Sequence, residues 1–146
     1  MKKAILLLAF LSVAVISFAQ TTKIFSTKNG AIQGYDAVSY FADNKAVKGN
    51  KDFTFEWNGA TWYFATKEHL DLFKAAPEKY APQYGGYCAY GVSDNHKAAT
   101  TPDAFTITNG KLYLNYNTKV KSLWYPEKEK RILLADSLWQ TVKLQQ

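Results

Sequence analysis

Phe53-Thr54-Phe55-Glu56-Trp57 alternates apolar and polar positions. Phe53, Phe55 and Trp57 therefore share one face of a half-buried strand. Asn58-Gly59 follows, and then the aromatic-rich run Ala60 to Ala65. Asn-Gly between two such runs is the strongest short hairpin signal, because both turn positions take positive φ. Asn109-Gly110 repeats the signal between Phe105-Thr106-Ile107 and Leu112-Tyr113-Leu114. Thr66 suits an N-cap and Glu68 the positive end of a helix that carries Leu70 and Phe73 on one face. Pro77 ends that helix or opens a further short turn. Gly34 to Phe41 reads as a turn entering a short strand, and Ala42 to Lys51 as a polar loop. Towards the C terminus, Ile132, Ala135, Trp139 and Val142 form one stripe with Leu134 and Leu138 beside it. The spacing predicts a long helix from about Pro126 to Leu144, with Pro126 in its first turn. The elements sum to an α+β fold: a small antiparallel sheet with two Asn-Gly hairpins, helices packed on it, and a long C-terminal helix. Trp57, Trp62, Phe64, Phe73 and Trp139 are expected in its core.

The N-terminal residues follow a different pattern. Lys2 and Lys3 precede an apolar run from Ala4 to Phe18, and Ser17-Phe18-Ala19 places small residues where a signal peptidase reads. Residues 1–19 are expected to be a secretory signal peptide cleaved before Gln20. The run is too short to span a bilayer comfortably, so no stable membrane anchor is expected after cleavage. The expected location is periplasmic or extracellular. Residues 20–33, polar at their start, read as a flexible lead-in, and the remainder has the length of one compact domain.

Charge and cysteine content narrow the classes. The whole chain carries 18 Lys and Arg against 12 Asp and Glu, a formal charge of +6, and loss of Lys2 and Lys3 leaves +4. No Lys/Arg cluster stands out, and Glu127 to Arg131 alternates signs, so nucleic acid is not an expected partner. A single cysteine cannot make an internal disulfide, so the fold must rest on its core. That thiol, Cys88, is buried and inert, a metal ligand, or reactive.

A thiol and an imidazole are the side chains that best bind soft or borderline metals. His69, at a strand–helix junction, and Cys88, in Gly85-Gly86-Tyr87-Cys88, are the candidate pair. Their partner would be Cu(I), which tolerates few ligands, or Zn²⁺ with Asp36 and water completing the shell. Asp36 is read as a ligand, as an acceptor for His69, or as a cap for local backbone N–H groups. His96 reads as an exposed loop residue. A catalytic Cys–His pair lacks a visible third member and oxyanion hole. Gly85-Gly86 permits positive φ or close backbone approach, but lacks the lysine and spacing of a phosphate loop. No organic cofactor is expected. The alternative to metal is an interaction module. Tyr84, Tyr87 and Tyr90 would then form a surface for a small ligand, a glycan or a partner protein.

The stretch from Trp62 to His69, with Phe73, Pro77 and Tyr80, resembles the YHS domain, a relative of the treble-clef heavy-metal-binding TRASH domains. The likeness covers roughly residues 34–80. A longer likeness, to exported bacterial YHS-domain proteins, adds Gly34-Tyr35-Asp36, Gly85 to Cys88 and Leu112 to Asn115, so residues 34–146 are expected to form one YHS-like domain. In metal-binding members of the family, the strand–helix junction carries two cysteines. Laid on this chain, they fall on Ala65 and His69, and an upstream cysteine falls near Gly34-Tyr35-Asp36. The resemblance implies a metal-handling role, but the three-cysteine zinc site of the family cannot form here.

Overall fold

The computed structural model describes residues 23–146. The signal peptide and its cleavage point lie outside the described residues. The elements in chain order are β1 (Ser26–Thr27), β2 (Gly30–Ala31), α1 (Ser39–Ala42), β3 (Asn50–Trp57), β4 (Ala60–Phe64), α2 (Lys67–Ala75), α3 (Pro77–Tyr80), α4 (Ala89–Ser93), β5 (Phe105–Thr108), β6 (Lys111–Leu114), α5 (Thr118–Trp124) and α6 (Lys128–Val142). Short 3₁₀ turns cover Ile32–Gly34, Gln83–Gly86 and Tyr125–Glu127. This is the expected α+β class. The strands, however, form three separate two-stranded antiparallel ribbons, β1–β2, β3–β4 and β5–β6.

Both Asn-Gly hairpins form where turn chemistry puts them. Trp57 pairs with Ala60 and Thr108 with Lys111. The turn residues take positive φ: 51° and 77° at Asn58-Gly59, 51° and 69° at Asn109-Gly110. Thr66 caps α2, accepting from the His69 N–H at 3.1 Å. Pro77 opens α3.

Two buried clusters make the core, and β6 separates them. Leu112 and Leu114 join Trp62, Phe64, Phe73 and Tyr40 in one cluster. Tyr113, between them, points into the second, with Tyr84, Val92, Trp124, Ala135 and Val142. Alternate side chains leave a strand on opposite faces, so one short strand serves both clusters. Phe73 is the hub of the first, with the rings of Trp62 and Phe64 at 5.0 Å and Trp57 at 5.8 Å.

Several expectations are corrected. Gly34 to Phe41 is not a strand: Tyr35 makes one isolated bridge with Lys48, and α1 follows. Its cause is Asp36, whose Oδ1 accepts from the N–H groups of Val38 at 2.8 Å and Ser39 at 3.3 Å and turns the chain. Trp57 and Trp139 are half-buried, while Trp62, Phe64 and Phe73 are fully enclosed. The C-terminal helix is preceded by α5, capped by Asn117 on Val120 N–H at 2.8 Å. Within the expected lead-in, Ile24 is buried and residues 26–31 form the first ribbon.

Candidate functional site

Asp36 is fully buried, and each of its oxygens meets two donors. Oδ1 serves α1 as above. Oδ2 accepts from Ala65 N–H at 2.8 Å and from His69 Nδ1 at 2.6 Å. The imidazole stays near the surface, its side chain 12% exposed against 0% for Asp36. A buried carboxylate can only accept, so Nδ1 carries the proton and Nε2 is the free basic nitrogen when the ring is neutral. No hydrogen bond among the described residues engages Nε2. Two roles open for Asp36 in the sequence are thus both realised: it caps local N–H groups and it orients His69.

Cys88 lies in a different neighbourhood. It is 2% exposed. Its sulfur accepts from Tyr116 N–H at 3.2 Å and Gly91 N–H at 3.5 Å and donates to Asn115 Oδ1 at 3.6 Å. Burial pushes the thiol pKa up, against the opposing pull of those backbone N–H groups. Protonation and burial both describe an inert thiol rather than a ligand or a nucleophile.

The metal implied by the family resemblance can be tested against these donors. Among the described residues no group of three or more His, Cys, Asp or Glu side chains could hold a metal ion. Asp36 and His69 meet, but Cys88 makes its polar contacts with Asn115, Gly91 and Tyr116. Both oxygens of Asp36 are already saturated by N–H donors. The donor set does not fit a resident zinc, which wants four ligands, or a Cys–His copper site. His96 is an exposed loop residue, in line with its sequence context.

Of the three candidate tyrosines, Tyr84 is buried and Tyr87 and Tyr90 are half-buried. The Tyr84 hydroxyl donates to Asp136 Oδ1 at 2.8 Å. Burial and that bond raise its pKa well above the usual range. One face of Tyr90 is covered by the Arg131 guanidinium, 3.7 Å from the ring centre. Tyr87 packs between Phe25 at 5.7 Å and Trp139 at 6.4 Å.

A cleft of about 350 Å³ lies beside this group, and of the three tyrosines it touches Tyr84. Its aromatic lining is Tyr84 with Trp57, from the end of β3, and Trp139, from α6. Lys23, Lys143, Glu78, Gln83 and Asn58 supply the charged and polar lining. Both indoles are braced by neighbouring rings: Trp57 by Trp62 and Phe73 at 5.8 Å, Trp139 by Tyr84 at 5.8 Å. Neither indole N–H is hydrogen-bonded among the described residues. Tyr84 and Gly85, with φ of 55° and 62°, also line it. Gly85 is required there, because a Cβ would stand 1.8 Å from the Lys23 carbonyl oxygen. Tyr84 adopts a conformation disfavoured for a side-chain-bearing residue, held by its ring packing and its bond to Asp136. The cleft escapes a reading of the sequence because its walls are distant in the chain. The one local signal is the pair of glycines after Tyr84.

A family model for the YHS domain matches residues 38–84. No curated protein and no solved structure matches the chain. The matched span starts at the turn capped by Asp36, contains Trp57, the β3–β4 hairpin and His69, and ends at Tyr84, which lines the cleft. Residues 38–84 of this chain are similar to the YHS domain.

Proposed function

We propose that this protein is a binding module that holds a small polar ligand of the sugar type in the cleft between Trp57 and Trp139. The observation that carries it is two braced, half-exposed indoles lining one cleft, with their N–H groups unengaged. The volume, about 350 Å³, is within the range of small-molecule sites. Flat apolar walls suit the C–H face of a sugar ring, while the indole N–H groups, Gln83 and Glu78 suit its hydroxyls. Lys23 and Lys143 favour an acidic sugar over a neutral one. Export, expected from residues 1–19, belongs to the same proposal and would give the cleft access to extracellular or periplasmic solutes.

The YHS match favours a second reading, metal handling, for which the candidate donors read from the sequence are His69, Cys88 and Asp36, with Cu(I) or Zn²⁺ as the ion. It is the weaker one here, because no three such donors are gathered among the described residues. Titration of tryptophan fluorescence with neutral and uronic mono- and oligosaccharides tests the first reading. A saturable change is expected with a uronic sugar, lost in Trp139→Ala and in Trp57→Ala. No response across that panel, or a response kept in both variants, would overturn it. Copper or zinc at one ion per chain in elemental analysis, lost in His69→Ala, would establish the second reading instead.

A further inference from the structure

The family resemblance sets two metal-binding cysteines on Ala65 and His69 and a third near Gly34-Tyr35-Asp36. In this fold Ala65 and His69 converge on one atom of Asp36. Asp36 Oδ2 receives Ala65 N–H at 2.8 Å and His69 Nδ1 at 2.6 Å. The other oxygen receives Val38 and Ser39 N–H. One fully buried carboxylate therefore joins the α1 turn, the end of β4 and the first turn of α2. Two of those contacts close loops of 29 and 33 residues.

We infer that the Asp36 carboxylate, with His69, is a metal-free clamp that does for this YHS domain the structural work of a treble-clef metal ion. A metal ion joins chain segments by presenting one positive centre to several anionic ligands. Here the polarity is inverted: one negative centre is presented to four N–H donors. The inversion accounts for each residue type. A carboxylate at position 36 supplies the charge. Position 65 contributes only its backbone N–H, so an alanine suffices. Position 69 needs a side-chain N–H long enough to reach the carboxylate from a helix, which an imidazole provides. It also accounts for Cys88, whose sulfur is engaged elsewhere and takes no part. Charge-assisted hydrogen bonds with no unmatched donor or acceptor are the condition under which a buried charge stabilises a fold.

The test is thermal unfolding of the full mature chain, with elemental analysis of the same sample. The purified protein is expected to hold no stoichiometric metal, and EDTA is expected to leave its melting temperature unchanged. Asp36→Asn places an amide opposite N–H donors and is expected to lower melting by roughly 10 °C. His69→Ala removes one donor from the edge of the site and is expected to give a smaller drop. Combining the two is expected to cost less than the separate drops added together, as contacts in one network do. Should Asp36→Asn fail to fold, His69→Ala and the EDTA comparison on the parent chain still decide the matter. A bound metal whose removal lowers melting would overturn the clamp. So would His69→Ala or Asp36→Asn melting like the parent.

Discussion

Phe73 gives the most direct test of how this fold is held. It is fully buried, and four aromatic rings surround it: Trp62 and Phe64 at 5.0 Å, Trp57 at 5.8 Å and Phe55 at 6.4 Å. Phe73→Ala removes the ring on which all four converge. Burying a phenylalanine is worth about 2–3 kcal/mol, and each well-placed ring pair adds about 0.5–1.5 kcal/mol beyond area. The neighbours are themselves pinned, Trp62 by its indole bond to Trp57 O at 3.0 Å and Phe64 by the β4 ladder, so the cavity cannot collapse fully. Buried Phe→Ala changes of this kind cost roughly 3–5 kcal/mol. Unfolding entropy of about 2.1 cal/mol/K per residue over a domain of this size converts about 4 kcal/mol into a fall in melting temperature of roughly 15 °C. The control is Leu133→Ala, on α6 with 72% exposure, expected to move melting by no more than about 2 °C. Circular dichroism melts of the three proteins give the answer. If Phe73→Ala melted within a few degrees of the parent, or no lower than Leu133→Ala, the aromatic hub would not be the core of this domain.

Two further outcomes follow from single contacts. Thr66→Ala removes the cap on His69 N–H and is expected to cost about 1 kcal/mol, seen as a fall in melting of roughly 4 °C; an unchanged melt would show the cap to be dispensable. Cys88 is expected to react with iodoacetamide only as fast as the protein opens, and rapidly in denaturant, and native labelling at the denatured rate would contradict its burial. Because burial raises its pKa, the folded thiol stays protonated as pH climbs past about 8.5, where the unfolded thiol ionises. Its contribution to stability is therefore complete below that pH and lost above it, so denaturant midpoints measured from pH 7 to 10 are expected to fall.

What the chain determines locally is legible in the order of its residues. Asn58-Gly59 and Asn109-Gly110 impose their turns through the φ preferences of two adjacent residues, and the strands on either side follow in register. Thr66 starts α2 and Pro77 starts α3 for equally local reasons. The YHS likeness is legible for the same reason, since its signature lies along one strand–helix junction. Asp36 marks the limit of such reading: its cap on Val38 and Ser39 is local, but its bond to His69 spans 33 positions. No spacing rule distinguishes that partnership from a ligand role. Tertiary structure decided that the single thiol pairs with Asn115 rather than with His69. It also decided that β6 would bury both its faces, which sends Tyr113 and Leu114 into different clusters. The cleft is the extreme case, because Lys23, Trp57, Tyr84 and Trp139 share no local pattern and meet only once both clusters have packed. Turns and caps depend on the torsions of a few neighbouring residues, whereas the site depends on which distant segments the buried rings bring together.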